Sequence, residues 1–241
     1  MTLTTDDALD LLTIGTIEME GLVPWGSNYT FLVTVCVDDY EPIQGIYKPR
    51  QGERPLWDFP TGTLCLRERA AFLVSEALGW QIVPPTVLRD GPRGWGSLQL
   101  FIEHNPDETY FNFQGIYDRQ LQRIALFDIF TNNADRKGGH VIKDDDEHIW
   151  GIDHGICFHT DSKLRTVIWD YAGMPIETKE LADMKTLVQA LTDPKNELHS
   201  ELHQLLSSKE IKALRQRLSA LVQQERFNVP GPGRHYPWPM V

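Results

Sequence analysis

Asp135 and Asp153 stand eighteen residues apart, the first in the loop Asn132-Asn133-Ala134-Asp135-Arg136-Lys137, the second just past the apolar run Ile149-Trp150-Gly151-Ile152. Two carboxylates on separate segments suit phosphoryl transfer, in which a protein mainly positions the reactants and holds metal-bound phosphates. Asp135 then orients or deprotonates an acceptor hydroxyl, and Asp153 ligates a divalent metal. The loop continues Gly138-Gly139-His140. Its paired glycines permit backbone angles denied to other residues and let the chain approach phosphates closely. Gly155 is expected to allow a sharp exit behind Asp153.

Further charged groups frame this pair. Lys48 ends the run Gly45-Ile46-Tyr47 and precedes Pro49, so it reaches phosphates from a strand end. On the next helix Glu68 and Glu76 lie within roughly 80° of one another around the axis. Either can pair with Lys48. The turn Pro24-Trp25-Gly26-Ser27-Asn28 separates two β-rich runs, and such a turn lays backbone N–H groups over phosphates. Asp128 falls where the apolar Leu121, Ile124 and Ala125 of its helix fall, and a buried carboxylate must be paired or hydrogen-bonded. Arg136 or the loop backbone is its expected partner. A metal hydrolase is a poor fit, because His140, His148, His154, His159 and Asp153 match no zinc-ligand spacing. The acidic tip Asp144-Asp145-Asp146-Glu147 lacks the twelve-residue pattern of a Ca²⁺ loop and reads as a solvated turn.

The elements that must position these residues fall into two sets. A short helical pattern at Ala8, Leu9, Leu11 and Leu12 precedes two strands within Gly15–Val37 and a third over Gly45–Lys48. The stripe Leu66, Ala70, Leu73 and Ala77 predicts a helix with one buried face. Val83–Leu88 and Ser97–Ile102 bracket the turn Arg89–Gly94 and complete a five-stranded antiparallel lobe. The polar stretch Asn105–Asn112 marks a boundary. Beyond it come a helix from Ile116 to Thr131, a hairpin of Val141–Lys143 with Ile149–Ile152, and helices over Glu180–Leu191 and Leu198–Gln224. The expected architecture is α+β and two-lobed: 1–104 an antiparallel-sheet N-lobe with a nucleotide-binding sheet and hinge, 105–241 a mainly helical C-lobe with the catalytic and metal-binding loops. The tail Pro230–Pro239 cannot continue a helix. It either folds back on the body or extends toward a partner.

Several of these blocks resemble, in order, one known superfamily. GIYKPRQGERP (Gly45–Pro55), Arg67-Glu68-Arg69-Ala70-Ala71-Phe72, LGWQIVPPTVL (Leu78–Leu88), GSLQLFIEH (Gly96–His104), FDIFTNNADR and GIDHG resemble the catalytic core of phosphatidylinositol 3/4-kinase-like proteins. The likeness is greatest to type II phosphatidylinositol 4-kinases, HipA-type kinases and small bacterial phosphatidylinositol-kinase-related proteins; it spans Val23 to Phe158 and thins beyond. It implies a protein-kinase-like fold, ATP with Mg²⁺ or Mn²⁺, and transfer of the γ-phosphate to a hydroxyl acceptor. By the same resemblance, Lys48 holds the α/β-phosphates with Glu68 as partner, Ser27 and Asn28 lie over the phosphates, and Pro49 meets adenine. The hinge residues Gln99, Leu100, Phe101 and Ile102 line the adenine site, the last three through their backbone. Asp135 acts on the acceptor and Asp153 binds metal, while Asn133, Arg136 and Lys137 shape the loop or meet charge.

Two departures bear on that implication. Family loops carry asparagine five residues after the catalytic aspartate as a second metal ligand, and here that position is His140, whose imidazole suits softer metals than Mg²⁺. A nucleotide-binding pseudokinase or a nucleotidyl transferase on the same fold therefore stands as the alternative. The cysteine-rich palmitoylation segment of the eukaryotic lipid enzymes is also absent, which favours a protein or small-molecule acceptor over a lipid.

Composition bounds the rest. A formal net charge of −11 over 241 residues repels nucleic acid and anionic membrane surfaces. Cys36, Cys65 and Cys157 lack C-x-x-C spacing and are expected to be buried thiols. No apolar run approaches the roughly 18 residues of a membrane span. No secretory leader pattern is present, so a cytoplasmic location without integral membrane association is expected.

Overall fold

A computed structural model of the chain describes residues 3–23 and 28–241, so the expectation for Ser27 lies outside the described residues. Helix α1 (Thr5–Ile14) opens with a capping box between Thr4 and Asp7. Strands β1 (Thr16–Leu22), β2 (Phe31–Cys36), β3 (Ile43–Pro49), β4 (Thr86–Gly91) and β5 (Gly94–Leu100) form one sheet in the order β1-β2-β3-β5-β4, every neighbour antiparallel. The five expected strands are present. The predicted turn Arg89–Gly94 is tighter than expected: Gly91 pairs with Gly94, so only Pro92 and Arg93 turn the chain. Gly94, at φ 89°, supplies the left-handed backbone this needs.

The register sorts the sheet's faces, because alternate residues point to opposite sides. Val33, Val35, Tyr47, Leu98 and Val87 share the outer face, and Leu12 of α1 seals it into a small core. Leu32, Ile46, Lys48, Ser97, Gln99 and Thr86 share the other face. There Leu32, Ile46 and Lys48 are only half-buried, so this face looks into a cleft.

Helix α2 (Leu64–Leu78) joins β3 to β4. Its burial departs from the predicted stripe: Leu66 is only half-buried and Ala77 is exposed, while Arg67, Glu68, Ala71, Phe72, Val74 and Ser75 are buried. The helix is enclosed on several sides, so no single stripe describes it. Its apolar residues join the large C-terminal core rather than the sheet's own.

The remaining chain contributes α3 (Tyr110–Phe113), α4 (Asp118–Thr131), the hairpin β6 (Val141–Lys143) and β7 (Ile149–Gly151), α5 (Thr178–Thr192), α6 (Glu197–Leu205) and α7 (Ser208–Gln224). The single helix expected over Leu198–Gln224 is two. Ser207 interrupts it as the N-cap of α7, in a capping box with Glu210. Cys65 and Cys157 are buried as expected, whereas Cys36, at the end of β2, is partly exposed. Among the described residues, no helix is long and apolar enough to cross a membrane.

Candidate active site

The loop after α4 is built from behind. The helix α4 ends with Asn132 in the left-handed region (φ 59°), and Asn133 N–H returns to the Asp128 carbonyl. The Asp128 carboxylate is fully buried and takes hydrogen bonds from Arg136 Nε (3.0 Å to Oδ2) and Asn133 Nδ2 (3.0 Å to Oδ1). Arg136 also donates to the carbonyls of His140 (2.9 Å) and Ile152 (2.7 Å), and its Nη2 lies 2.6 Å from His154 Nε2. Burial, with the Arg136 charge beside it, holds His154 well below the usual imidazole range, so Nε2 is a neutral acceptor. One guanidinium thus ties together the helix end, the loop and the strand exit bearing Asp153.

Asn133 and Arg136 are therefore scaffold. Both are completely buried, and neither is exposed to meet a substrate's charge. Asn133 Oδ1 accepts from Asp135 N–H (3.0 Å), which fixes the aspartate's backbone. Lys137 Nζ lies 3.2 Å from Asp135 Oδ2. Burial raises the Asp135 carboxyl above its ordinary range, with Lys137 pulling it back.

Across the cleft, Lys48 Nζ sits 2.5 Å from Glu68 Oε1 and 2.9 Å from Asp153 Oδ1. Glu68 Oε2 accepts from His154 N–H at 2.9 Å, so this one carboxylate clamps both the lysine and the backbone after Asp153. Glu76 lies elsewhere, its charge coupled to Asp6 of α1. Burial alone would lower the Lys48 pKa, but the Asp153 and Glu68 carboxylates outweigh it and raise it. Lys48 in turn holds the Asp153 carboxyl far below the usual range. Asp153 is half exposed, and its Oδ2 lies 3.5 Å from His140 Nε2. Burial lowers the His140 pKa to about 4, leaving a neutral imidazole at neutral pH.

Backbone strain falls on Asp153 itself, at φ 61°. A non-glycine residue there is uncommon and costly, and such outliers cluster at functional sites. This corrects the role expected for Gly155: the sharp turn belongs to Asp153, and Gly155 packs where a Cβ would lie 3.4 Å from Glu68 Oε1. Gly138 likewise serves close packing, since a Cβ there would meet Phe111 at 2.8 Å, while Gly139 faces open space.

A cleft lined by Asn28, Lys48, Pro49, Glu68, Asp135 and Asp153 joins the two sides. Asn28 contributes backbone rigidity, its Oδ1 accepting from Arg54 N–H (2.8 Å). Two of the expected hinge N–H groups are engaged within the protein. Leu100 N–H is bonded to the Pro85 carbonyl and Phe101 N–H to the Gln44 carbonyl, because sheet-like pairing continues past β5. Gln99 turns its amide to Thr86 Oγ1 (2.8 Å), and the Ile102 carbonyl is 2.7 Å from His104 Nδ1. Among the described residues no three His, Cys, Asp or Glu side chains converge to hold a metal ion. Asp153 and His140 form a pair. His148 and His159 instead contact the Gln81 and Asp58 carbonyls.

Residues 90–223, more than half of the chain, match the family described as phosphatidylinositol 3- and 4-kinase. The chain belongs to that family. The match continues through α5 and α6 into α7, well beyond Phe158. The Mycobacterium tuberculosis protein Rv2133c is 39% identical, covering 97% of this chain and 95% of that protein. The rice protein phosphatidylinositol 4-kinase gamma 4 is 31% identical over 46% of this chain, but only 23% of its own length is covered. Among solved structures, the Golgi casein kinase superposes with a TM-score of 0.59 at 16% identity, covering 93% of this chain and 79% of that one. Its Mn/ADP-bound form gives 0.55 at 15% identity, covering 91% and 74%. These likenesses establish a kinase-like fold.

In this family member two supports escaped the sequence. Glu53, in the loop after β3, accepts from the N–H groups of Leu64 (3.1 Å) and Cys65 (2.9 Å) and so caps α2 from a distance. Arg67, beside Glu68, donates to the Cys157 carbonyl (2.7 Å) and pairs with Glu210 of α7. Both depend on contacts across the fold, for which local spacing carries no signal.

Proposed function

We propose that this protein is an ATP-dependent phosphotransferase that moves a γ-phosphate to a hydroxyl acceptor. The observation that carries the reading is the convergence of Lys48, Glu68 and the strained, half-exposed Asp153 opposite Asp135 in one cleft. Lys48, kept charged by its two carboxylates, binds the α/β-phosphates. Leu32 and Ile46, half-buried on the cleft face of the sheet, offer an apolar bed for adenine, and Pro49 lines the cleft next to Lys48 at the end of β3.

Asp153 and His140 supply an oxygen and a nitrogen donor at 3.5 Å, which fits a divalent ion whose remaining ligands are phosphate oxygens and water. When bound, such an ion neutralises charge developing on the transferred phosphoryl group. The imidazole favours Mn²⁺ over Mg²⁺. Asp135, with its carboxyl raised by burial, accepts the acceptor hydroxyl's proton, and Lys137 balances its charge. The acidic net charge favours a protein or small-molecule acceptor over a lipid, and a cytoplasmic location fits the free thiols.

The test is a thermal melt with ATP, crossed with Mg²⁺ and Mn²⁺. At about a hundredfold excess over Kd, a ligand adds roughly 2.7 kcal/mol, on the order of 5–10 °C for a chain of this size. The shift should vanish in Asp153→Asn. Asp135→Asn should keep it while losing about 10²- to 10⁴-fold in transfer rate. No shift in folded wild-type protein under any condition would sink the proposal.

A further inference from the structure

The segment after α7 returns to the catalytic loop. The Met240 carbonyl accepts from Gly138 N–H at 2.7 Å, and the His235 carbonyl accepts from Thr166 N–H at 3.0 Å and Trp169 Nε1 at 3.3 Å. Pro237, between them, is buried, although most of its neighbours are exposed. The floor of this contact is the loop itself. Gly138 follows Lys137, the partner of Asp135, and Thr166 bridges to Arg136. Three donors from two separate segments thus read two backbone carbonyls five residues apart on one irregular strand.

That pattern is a way of recognising polypeptide, in which main-chain hydrogen bonds give affinity and a side-chain pocket gives selectivity. The occupant also has a telling composition: residues 228–241 contain prolines, glycines and aromatics but no serine or threonine. It docks on the loop that carries Asp135 and brings neither a serine nor a threonine to it.

We infer that the groove formed by Gly138, Thr166 and Trp169 is a binding site for an irregular, proline-bearing peptide segment of a protein acceptor, occupied in cis by residues 235–240. This rests on the phosphotransferase reading for the word acceptor, but not for the groove. Displacement of the strap by a protein segment bearing a hydroxyl residue is the step that admits substrate.

The experiment uses the full chain and its Pro237→Asp variant, which places a charge in the buried seat of the strap. Amide hydrogen exchange at Gly138 and Thr166 should speed up by about tenfold or more in the variant, as a local opening replaces a docked contact. A fluorescent peptide of residues 229–241 should bind the variant at least about tenfold tighter than the wild type, where the tethered segment competes at high effective concentration. Unchanged exchange, or equal binding to both proteins, would overturn the groove. Pro237→Ala, which empties the same seat without adding a charge and leaves the groove itself intact, is a milder unseating should the aspartate compromise folding, and should move both readouts the same way. A serine walked through positions 235–241 of the peptide then tests the acceptor class with labelled ATP. At least one position should be phosphorylated; binding and ATP hydrolysis without any labelling would overturn the acceptor role. Peptide binding without a metal-dependent ATP shift would instead retain the groove and defeat the kinase reading.

Discussion

Asp128 and Asp153 stand on opposite faces of the same loop system and live under opposite conditions. Asp128 is fully buried, with Arg136 and Asn133 donating to it and Thr166 nearby. Asp153 is half exposed, in a left-handed backbone conformation, and shares its oxygens between a lysine and a neutral imidazole. The first arrangement leaves little for a ligand to do; the second leaves partners that can be exchanged. Rigidity and reactivity are thus divided between two carboxylates linked by a single arginine, whose Nη1 touches the carbonyl just before Asp153.

Breaking the buried side should give the largest effect. Arg136→Ala removes one partner of a buried ion pair, which costs about 3–5 kcal/mol. Urea unfolding should register that loss, and a change below about 1 kcal/mol would mean the pair is not structural.

Acid should sharpen the contrast next. His140 stays neutral in the folded protein down to about pH 4, whereas an unfolded imidazole takes a proton near 6.5. The unfolded state therefore binds the extra proton between these values, and stability falls as pH drops through that window, by on the order of 3 kcal/mol. His140→Asn should flatten this part of the stability–pH curve; an identical slope in wild type and variant would assign it elsewhere, His154 being the first suspect.

The smallest change lies far from the cleft. Ser207→Ala removes the α7 cap, at a cost of about 1 kcal/mol. Because Glu210 both completes that cap and pairs with Arg67, stability should fall while the metal-dependent ATP shift persists. Loss of that shift would couple the two regions more tightly than their separation suggests.

Much of this division was legible in the chain. The β-branched runs announced the sheet, and Asp128 on an apolar helix face announced its buried partner. What was hidden depended on distant contacts. Glu68 and Glu76 are near-equivalent by helical spacing, and only the packed position of α2 turns Glu68 to Lys48. The Leu100 and Phe101 amides looked available because sequence does not reveal where strand pairing stops. The break at Leu206–Ser207 was signalled by Ser207-Ser208-Lys209-Glu210, a capping pattern that the expectation of one continuous helix passed over.

The enclosure of α2 has a mechanical consequence. Glu68 lies in the first half of the chain, yet Arg67 fastens its helix to Cys157 and Glu210. The same helix is also fastened to the sheet, Arg69 donating to the Thr86 carbonyl of β4 and Glu53, just past β3, capping its first turn. α2 is therefore a cross-brace between the two walls of the cleft, and Glu68, 2.5 Å from Lys48 and bonded to the backbone behind Asp153, is the point where both walls are pinned.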